Sequence, residues 1–279
     1  VLISDWAAIE ETIYHGYCAD KEDAAIRAVE AGVDIDMMTG IYCDNLCRLV
    51  REGKIPESLV DECCMRILEL KNKLGLFENP YKDADEEKEQ QLILCKEHRE
   101  LAREAARKSF VLLKNEEQIL PLDKTKKTAF IGPYVNSRNL MGSWSIIGEA
   151  KDITTVEEIM AVEEAGNNVV CCQGSPMLGA EVILEGFTEE NQAIYTPEEE
   201  ARMLEEALEA AKKADQVVLF IGEDRLQSGE ATSNATIQIP QIQQNLLERV
   251  AEINENIAVV LFSGRPLDLR DVQVKAKAI

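Results

Sequence analysis

The stretch QVVLFIGE (216–223) decides the fold of this sequence. It is an apolar run, rich in β-branched and aromatic residues, that ends in a glycine and a glutamate. Such a run is typical of a strand that is covered on both faces in a parallel sheet. Helical patterns precede and follow it, over 197–214 and 240–254. We therefore expect strands that alternate with helices, which is the arrangement of an α/β protein.

Three further stretches have the same apolar character: TAFIGP (128–133), NVVCCQG (168–174) and IAVVLFSG (257–264). Because helices or long connections separate these stretches, we expect them to join 216–223 in a mostly parallel sheet. The last residues, VKAKAI (274–279), predict the start of another strand.

The first 75 residues predict a separate set of strand–helix units. VLISDW (1–6) and GVDIDM (32–37) have the apolar character of short buried strands, with carboxylates near their tips. Helical patterns cover 21–31, 42–51 and 56–74. Two such units close neither a sheet nor a barrel, so we expect residues 1–75 to be the end of a larger (β/α) domain.

An acidic stretch, LFENPYKDADEEKEQQ (76–91), follows this first part. Its Asn-Pro turn and its dense carboxylates are typical of a solvated connector. A new domain is expected to begin at Leu92, with the amphipathic helical pattern EHRELAREAARKSFVLLKN (97–115) at its start.

Charge and cysteine usage limit the function classes. The formal net charge of −22 argues against a nucleic-acid partner, and no apolar run is long enough to span a membrane. With eight cysteines but only His15 and His98, ligands at zinc spacing are lacking, so we expect no metal. Reduced and mostly buried thiols predict a cytoplasmic protein. The sequence does not begin with Met, so this expectation leaves a leader open.

Carboxylates at strand ends are the best candidates for chemistry, because ligands meet the carboxyl ends of parallel strands. Asp5, Asp34 and Asp36 lie at such ends in the first part, and the loop DRLQSGEATSNATIQIP (224–240) follows 216–223. Patterns for a serine nucleophile or a phosphate-binding loop are absent from the sequence.

Carboxylates together with aromatic side chains suit the cleavage of a glycosidic bond, for which Trp6 and Trp144 are candidate sugar contacts. The residues alone leave this as one option among several. A strand-end residue such as Asp5 more often caps a loop, and Glu230 could be a solvated loop carboxylate.

A resemblance to a known family rests on blocks that occur here in one order. The chain closely resembles glycoside hydrolase family 3, the β-glucosidase-like retaining enzymes. The blocks are ISDW, EAGVDIDM, LVREGKIPESLVDECCMRILELKNKLGLFENPY, HRELAREAARKSFVLLKNE, LPL, FIGP, GSWS, KKADQVVLFIGE, SGEATS and VVLFSGRPLDL.

For the fold, the resemblance implies a (β/α)8-type barrel followed by a three-layer α/β sandwich, with the active site between them. Residues 1–75 would be the C-terminal part of the barrel, 76–96 an interdomain linker, and 97–279 a sandwich that is incomplete at its C-terminus. Val1 would fall at the seventh barrel strand, so about six strand–helix units would precede it.

For the function, the resemblance implies retaining hydrolysis of terminal β-linked glucosides. Asp5 of SDW matches the catalytic nucleophile and Glu230 of SGE the acid/base. Trp6 matches an aromatic residue that lines the sugar site, and Trp144 matches a substrate-binding loop more loosely. The substrate would be a β-glucoside or an oligosaccharide. The structural partner of this chain would be the missing barrel portion. No metal or organic cofactor is expected. A homodimer is kept open.

Two alternatives remain. A β-xylosidase of the same family is the nearest, since the residues that sense the C6 arm of the sugar would come largely from the absent barrel. The other is a non-catalytic sugar-binding fragment, and we expect little turnover from these 279 residues alone. A branch of the family that acts on N-acetylglucosamine is disfavoured by the intact SGE block.

Other conspicuous residues are expected to support loops. We predict that Asp34 and Asp36 bond loop amides or frame the barrel rim. Glu223 and Asp224 could orient the loop of Glu230, and Arg265 is available to pair with an acidic neighbour.

Overall fold

The computed structural model describes residues 1–142, 144–145, 148–162, 168–179, 195–230 and 232–279. The chain divides into two compact units, Val1–Ala105 and Ala106–Ile279. Among the described residues, none of the helices is long and apolar enough to cross a membrane.

The first unit is mainly helical. Its helices are α1 (Ala8–Tyr14), α2 (Lys21–Glu30), α3 (Ile41–Arg51), α4 (Glu57–Lys73) and α5 (Glu86–Leu92), and α6 (Lys96–Ser109) runs across the boundary with the second unit. Asp20 caps α2 by accepting a hydrogen bond from the amide of Asp23. The core of this unit includes Ala25 of α2 and Leu49 of α3, both fully buried.

The two strands expected in the first unit are shorter than predicted. Ile3 and Ile35 form a single parallel bridge, supported by a hydrogen bond from the amide of Ser4 to the carbonyl of Ile35 at 3.0 Å. Leu2 and Ile3 are about half exposed, so the apolar run is not covered on both faces in this chain. The pairing nevertheless has the parallel direction that the strand–helix order predicts.

The stretch 76–91 is not only an irregular connector, because α5 begins within it. Asp85 accepts a hydrogen bond from the amide of Lys88, and Glu86 and Glu87 lie in the first turn. A capping aspartate and acidic residues at a helix N-terminus both stabilise a helix. These are the signals that the interpretation as a solvated connector overlooked.

Within its described residues, the second unit contains a four-stranded parallel sheet. Its strands are β1 (Thr128–Ile131), β2 (Val169–Cys172), β3 (Gln216–Gly222) and β4 (Ile257–Phe262), in the order β2-β1-β3-β4. All three pairs are parallel, with Thr128 opposite Gln216 and Gly222 opposite Phe262. The α/β class and the parallel sheet predicted from the sequence are confirmed.

Residues on β3 are buried on both faces of the sheet. Leu219 and Ile221 point into a core with helices α8 (Pro197–Lys213), α9 (Gln241–Ala251) and α10 (Arg270–Lys275). Val218 and Phe220 belong to a separate core with Tyr134 and partly buried neighbours that include Val156 of α7 (Val156–Val162). This alternation explains why the sequence of β3 is continuously apolar.

The last residues of this sequence pair with β4, but the pairing begins further along the chain than expected. Val274 and Lys275 belong to α10, and extended pairing follows it. Ala278 forms a parallel bridge with Ala258 of β4 and an antiparallel bridge with Asn115. The prediction of a strand from residue 274 is therefore wrong at its start, because the helical turn of α10 continues to Lys275.

The expectation of mostly buried thiols is also wrong. All eight cysteines are free, but only Cys18 and Cys63 are buried. Cys43, Cys47 and Cys64 are exposed. On α3 and α4 these three lie on the faces away from the core, a distinction that apolar composition alone does not make.

Candidate active site

In the first unit, Asp5 lies in the turn between the Ile3 bridge and α1. The Asp5 carboxylate accepts a hydrogen bond from the amide of Trp6 at 2.7 Å, and its carbonyl accepts one from the amide of Ala8 at 3.2 Å. Ala7 adopts a left-handed conformation with φ 54°. The turn is tied to the next strand-end loop, because the hydroxyl of Ser4 accepts a hydrogen bond from the amide of Met37 at 2.8 Å.

Both residues of this turn face solvent in the first unit. Asp5 is exposed and Trp6 is 65% exposed. Asp5 and Trp6 are therefore both open to solvent directly after the residue pair Ile3 and Ile35.

Asp34 is buried and holds the segment that leads into this turn. Its carboxylate accepts hydrogen bonds from the amide of Leu2 and from Nε of Arg66, each at 2.7 Å. Burial alone would raise the pKa of Asp34, but these bonds hold it below the ordinary value. The prediction that Asp34 bonds a loop amide is confirmed.

Asp36 has a comparable local role. Its carboxylate accepts a hydrogen bond from the hydroxyl of Thr39 at 2.7 Å and one from the amide of Tyr42 at 3.4 Å. Tyr42 lies in the first turn of α3, so Asp36 stabilises the start of that helix. Asp36 thus bonds a helical amide and a threonine hydroxyl, and not the loop amide that was predicted for it.

In the second unit, the strand order defines where a ligand would approach the sheet. The chain passes from β1 to β2 on one side and then returns to β3 on the other side of β1. In open α/β sheets, ligands bind at the carboxyl ends of the two strands that flank such a reversal. These are β1 and β3. The loop that contains Trp144 follows β1, and the loop that contains Glu230 follows β3.

Glu223 is a buried carboxylate directly after β3. Its side chain is 1% exposed, and its Oε2 lies 3.2 Å from Nε of Arg265 and 3.4 Å from Oγ of Ser263, both of which follow β4. Its Oε1 accepts a hydrogen bond from Nδ2 of Asn234 at 3.3 Å. The predicted pairing of Arg265 with an acidic neighbour is confirmed, and the pair joins the ends of β3 and β4.

Asp224 joins the two loops at their bases. Its carboxylate accepts hydrogen bonds from Nδ2 of Asn139 at 2.8 Å and from the amide of Leu226 at 2.9 Å. Its amide donates to Oε1 of Gln227 at 2.9 Å. Since Asn139 belongs to the segment that leads to Trp144, the same carboxylate fixes the start of both loops.

The loops themselves present their candidate residues to solvent. Glu230 is exposed and follows Gly229, whose φ of 123° is unfavourable for other residues. Trp144 is 69% exposed. The structure brings the bases of these two loops together, and Asp5 and Trp6 belong to the other compact unit.

The sequence analysis missed a buried amide that completes the sheet edge. Gln243 of α9 is fully buried; its Oε1 accepts from the amide of Gly222 at 2.8 Å, and its Nε2 donates to the carbonyls of Gly222 and Met177 at 2.9 and 2.6 Å. A signal was present. Gln243 occupies the same helical face as the apolar residues Leu246, Leu247 and Val250, where a polar residue needs a partner.

Within the described ranges, no group of three or more His, Cys, Asp or Glu side chains could hold a metal ion. The polar groups at the carboxyl edge of the sheet bond one another and backbone groups. The candidate groups that are open to solvent are the carboxylates of Asp5 and Glu230 and the indole rings of Trp6 and Trp144.

The fold and these candidate residues define an α/β protein with a parallel sheet and carboxylate-bearing loops after its strands. Two family models match the chain: Glycosyl hydrolase family 3 N terminal domain over residues 1–70, and Glycosyl hydrolase family 3 C-terminal domain over residues 110–279. The chain belongs to glycoside hydrolase family 3.

Individual proteins support the same membership. The chain is 35% identical to a periplasmic beta-glucosidase of Salmonella typhimurium, covering 100% of this chain and 37% of the relative. It is 30% identical to a beta-xylosidase of Formosa agariphila, covering 91% of this chain and 34% of that protein. The crystal structure of a beta-glucosidase from Listeria innocua is 36% identical, covers 100% of this chain and 35% of that chain, and superposes with a TM-score of 0.85.

The chain spans about a third of the length of the curated relatives it matches.

Proposed function

We propose that the full-length gene product that carries this sequence hydrolyses terminal β-linked glucosides with retention of configuration. The observation that carries the proposal is the match of this whole chain to a solved beta-glucosidase, at 36% identity and a TM-score of 0.85. Under this proposal, residues 1–75 are the end of a (β/α)8 barrel, 76–96 a linker and 97–279 a three-layer sandwich.

Asp5 is the nucleophile in this proposal. Its ionised carboxylate attacks the anomeric carbon while the glycosidic oxygen departs, and the product is a glycosyl ester on Asp5. The hydrogen bond from the amide of Trp6 fixes one carboxylate oxygen and leaves the other for the attack. The exposed ring of Trp6 offers an apolar face to the C–H face of the sugar.

Glu230 is the acid/base. It donates its proton to the departing oxygen, then takes a proton from the water that cleaves the ester, so that both carboxyl groups return to their initial states. Retaining chemistry requires the two carboxyl groups to be about 5–5.5 Å apart when they act on one anomeric carbon. Trp144, on the neighbouring loop, is proposed as a further substrate contact.

A fluorosugar tests the nucleophile. The full-length gene product is treated with 2-deoxy-2-fluoro-β-glucosyl fluoride, and its peptides are mapped by mass spectrometry. Fluoride leaves readily without an acid, while the 2-fluoro group slows hydrolysis of the ester, so an adduct on the peptide with Asp5 is expected. A folded protein that gains no adduct there would contradict the proposal.

Leaving-group dependence tests the acid/base. We expect Glu230→Gln to lower kcat/KM for a poor leaving group such as methoxyphenyl by about 10²–10⁴-fold. For dinitrophenyl, which needs no proton, we expect little change, and azide should restore turnover because it attacks the ester without a base. The matched control is Glu205→Gln, an exposed glutamate on α8. Equal losses for both leaving groups would argue against Glu230.

A β-xylosidase is the second candidate, and the likeness to the Formosa agariphila protein favours it. The 2-fluoroxylosyl fluoride distinguishes the two, since the enzyme should be labelled faster by the sugar that it accepts. A cytoplasmic location and a homodimer stay predictions.

A further inference from the structure

One side chain closes the loop that carries Glu230. Nδ2 of Asn234 lies 3.3 Å from Oε1 of Glu223 and 3.4 Å from the carbonyl of Gln227. Glu223 precedes the loop and Gln227 lies early within it. The segment from Gln227 to Asn234 therefore leaves and returns to the same point, with Glu230 between its two ends.

The group that Asn234 contacts is held firmly. The Glu223 side chain is almost completely buried against Arg265 and Ser263, and its amide donates to the carbonyl of Phe262 at 3.0 Å. The strand before it, β3, is buried along its whole length. Glu223 thus offers the loop a charged acceptor whose position the sheet determines.

In the described part of the loop, the tip is tied to itself by Thr232, whose hydroxyl donates to the carbonyl of Gly229 at 2.7 Å, across Glu230. Gly229 precedes Glu230, and Glu230 itself is exposed. Ser228 packs against the turn after β4, where a Cβ added to Gly264 would lie 2.0 Å from its hydroxyl. On the side of the tip that returns to the sheet, the contact of Asn234 with Glu223 joins the loop to the ends of β3 and β4.

We propose that Asn234 is a positioning residue for Glu230: its amide, held by the Glu223 carboxylate, fixes the loop in the conformation from which Glu230 transfers protons. The inference rests on the proposed function, because it takes Glu230 as the acid/base. Proton transfer requires the donor within hydrogen-bonding reach, and small displacements of a catalytic group are costly. A contact that contributes little to folding can therefore matter for the rate.

The test uses three variants of the full-length gene product. Asn234→Ala removes the donor, Asn234→Asp keeps the shape but directs a carboxylate at Glu223, and Ser233→Ala is the matched control at the exposed neighbouring residue. The measured quantities are kcat/KM for methoxyphenyl and dinitrophenyl glucosides, the effect of azide on kcat, and the midpoint of thermal unfolding.

We expect Asn234→Ala to lower kcat/KM for the methoxyphenyl glucoside by about three- to tenfold, the range of one modest hydrogen bond. The dinitrophenyl value and the thermal midpoint should match those of Ser233→Ala. Asn234→Asp should lose more than Asn234→Ala, since like charges repel, and azide should raise kcat in both.

Three results would overturn the inference. In the first, Asn234→Ala behaves as Ser233→Ala does. In the second, Asn234→Asp retains wild-type activity, which would mean that Asn234 only fills space. In the third, both leaving groups lose equally and the thermal midpoint falls, which would mean a role in folding. The Glu230→Gln variant distinguishes failure of the proposed function from failure of this inference. If the loss in Glu230→Gln does not depend on the leaving group, the proposed function fails and this inference fails with it. If that loss depends on the leaving group but the loss in Asn234→Ala does not, only the positioning role is overturned.

Discussion

Gln243 offers a quantitative test of how the carboxyl edge of the sheet is stabilised. β1 pairs with β3 only as far as Leu219, so the amide and carbonyl of Gly222 lie beyond the end of β1 and bond Gln243 instead. Gln243→Leu preserves the approximate volume but leaves these two buried groups, and the carbonyl of Met177, without this partner. Each buried group that loses its partner costs about 1–3 kcal/mol, so we expect a loss of about 3 kcal/mol in the free energy of unfolding.

Hydrogen exchange of the β3 amides measures this loss in the second unit directly. A decrease of about 3 kcal/mol should accelerate exchange in β3 by roughly two orders of magnitude, because every 1.4 kcal/mol corresponds to about a factor of ten. The matched control is Gln241→Leu, an exposed glutamine at the first residue of the same helix, with an expected effect within about 0.5 kcal/mol. If the two variants exchange at the same rate, the reasoning about Gln243 is refuted.

Two further predictions concern titratable groups. The pKa of Asp34 is lowered, so its contribution to stability is present above the ordinary value of 3.8 and is lost as the pH falls through the lower folded value. Asp34→Asn should therefore lower the urea midpoint more at pH 6 than at pH 3, whereas the exposed Asp61→Asn should change neither; a gap as large at pH 3 would contradict this. Burial raises the pKa of Cys172 from 9.0 to about 12. At pH 8, Cys172 therefore has roughly a thousandfold less thiolate than a cysteine with the ordinary pKa would have. Iodoacetamide should label the exposed Cys64 long before Cys172, and equal rates would show that burial does not protect Cys172.

The strands of the second unit could be predicted closely from the sequence. The expected strand at 216–223 is observed as Gln216–Gly222, because a strand covered on both faces must be apolar at every position. The stretch 1–6 has the same apolar character but forms only one bridge, because a run of apolar residues does not say which neighbours cover it. In 76–91 the acidic composition hid a helix, although the cap at Asp85 was visible in the sequence.

The candidate site, like the fold, could be predicted from the sequence only in part. The places of Asp5 and Glu230 after strands follow from the order of the elements and from matched motifs. The contacts of Glu223 with Arg265 and Asn234 do not, because they depend on the register of β3 against β4 and on the path of a loop. Sequence patterns determine which face of a strand is buried, but not which polar side chains meet where the strands end.

The anchors of the Glu230 loop have a consequence for protein engineering. Asn139, Glu223 and Arg265 lie outside the loop, on three different segments of the second unit. Asn139 bonds Asp224 of the loop and Glu223 bonds Asn234 of the loop, while Arg265 holds Glu223 in turn. The loop therefore cannot be moved into another protein as an independent unit. Transplanting it into another parallel sheet would require three recipient residues to be changed with it, whereas length changes between Gly229 and Thr232 would leave every one of these anchors in place.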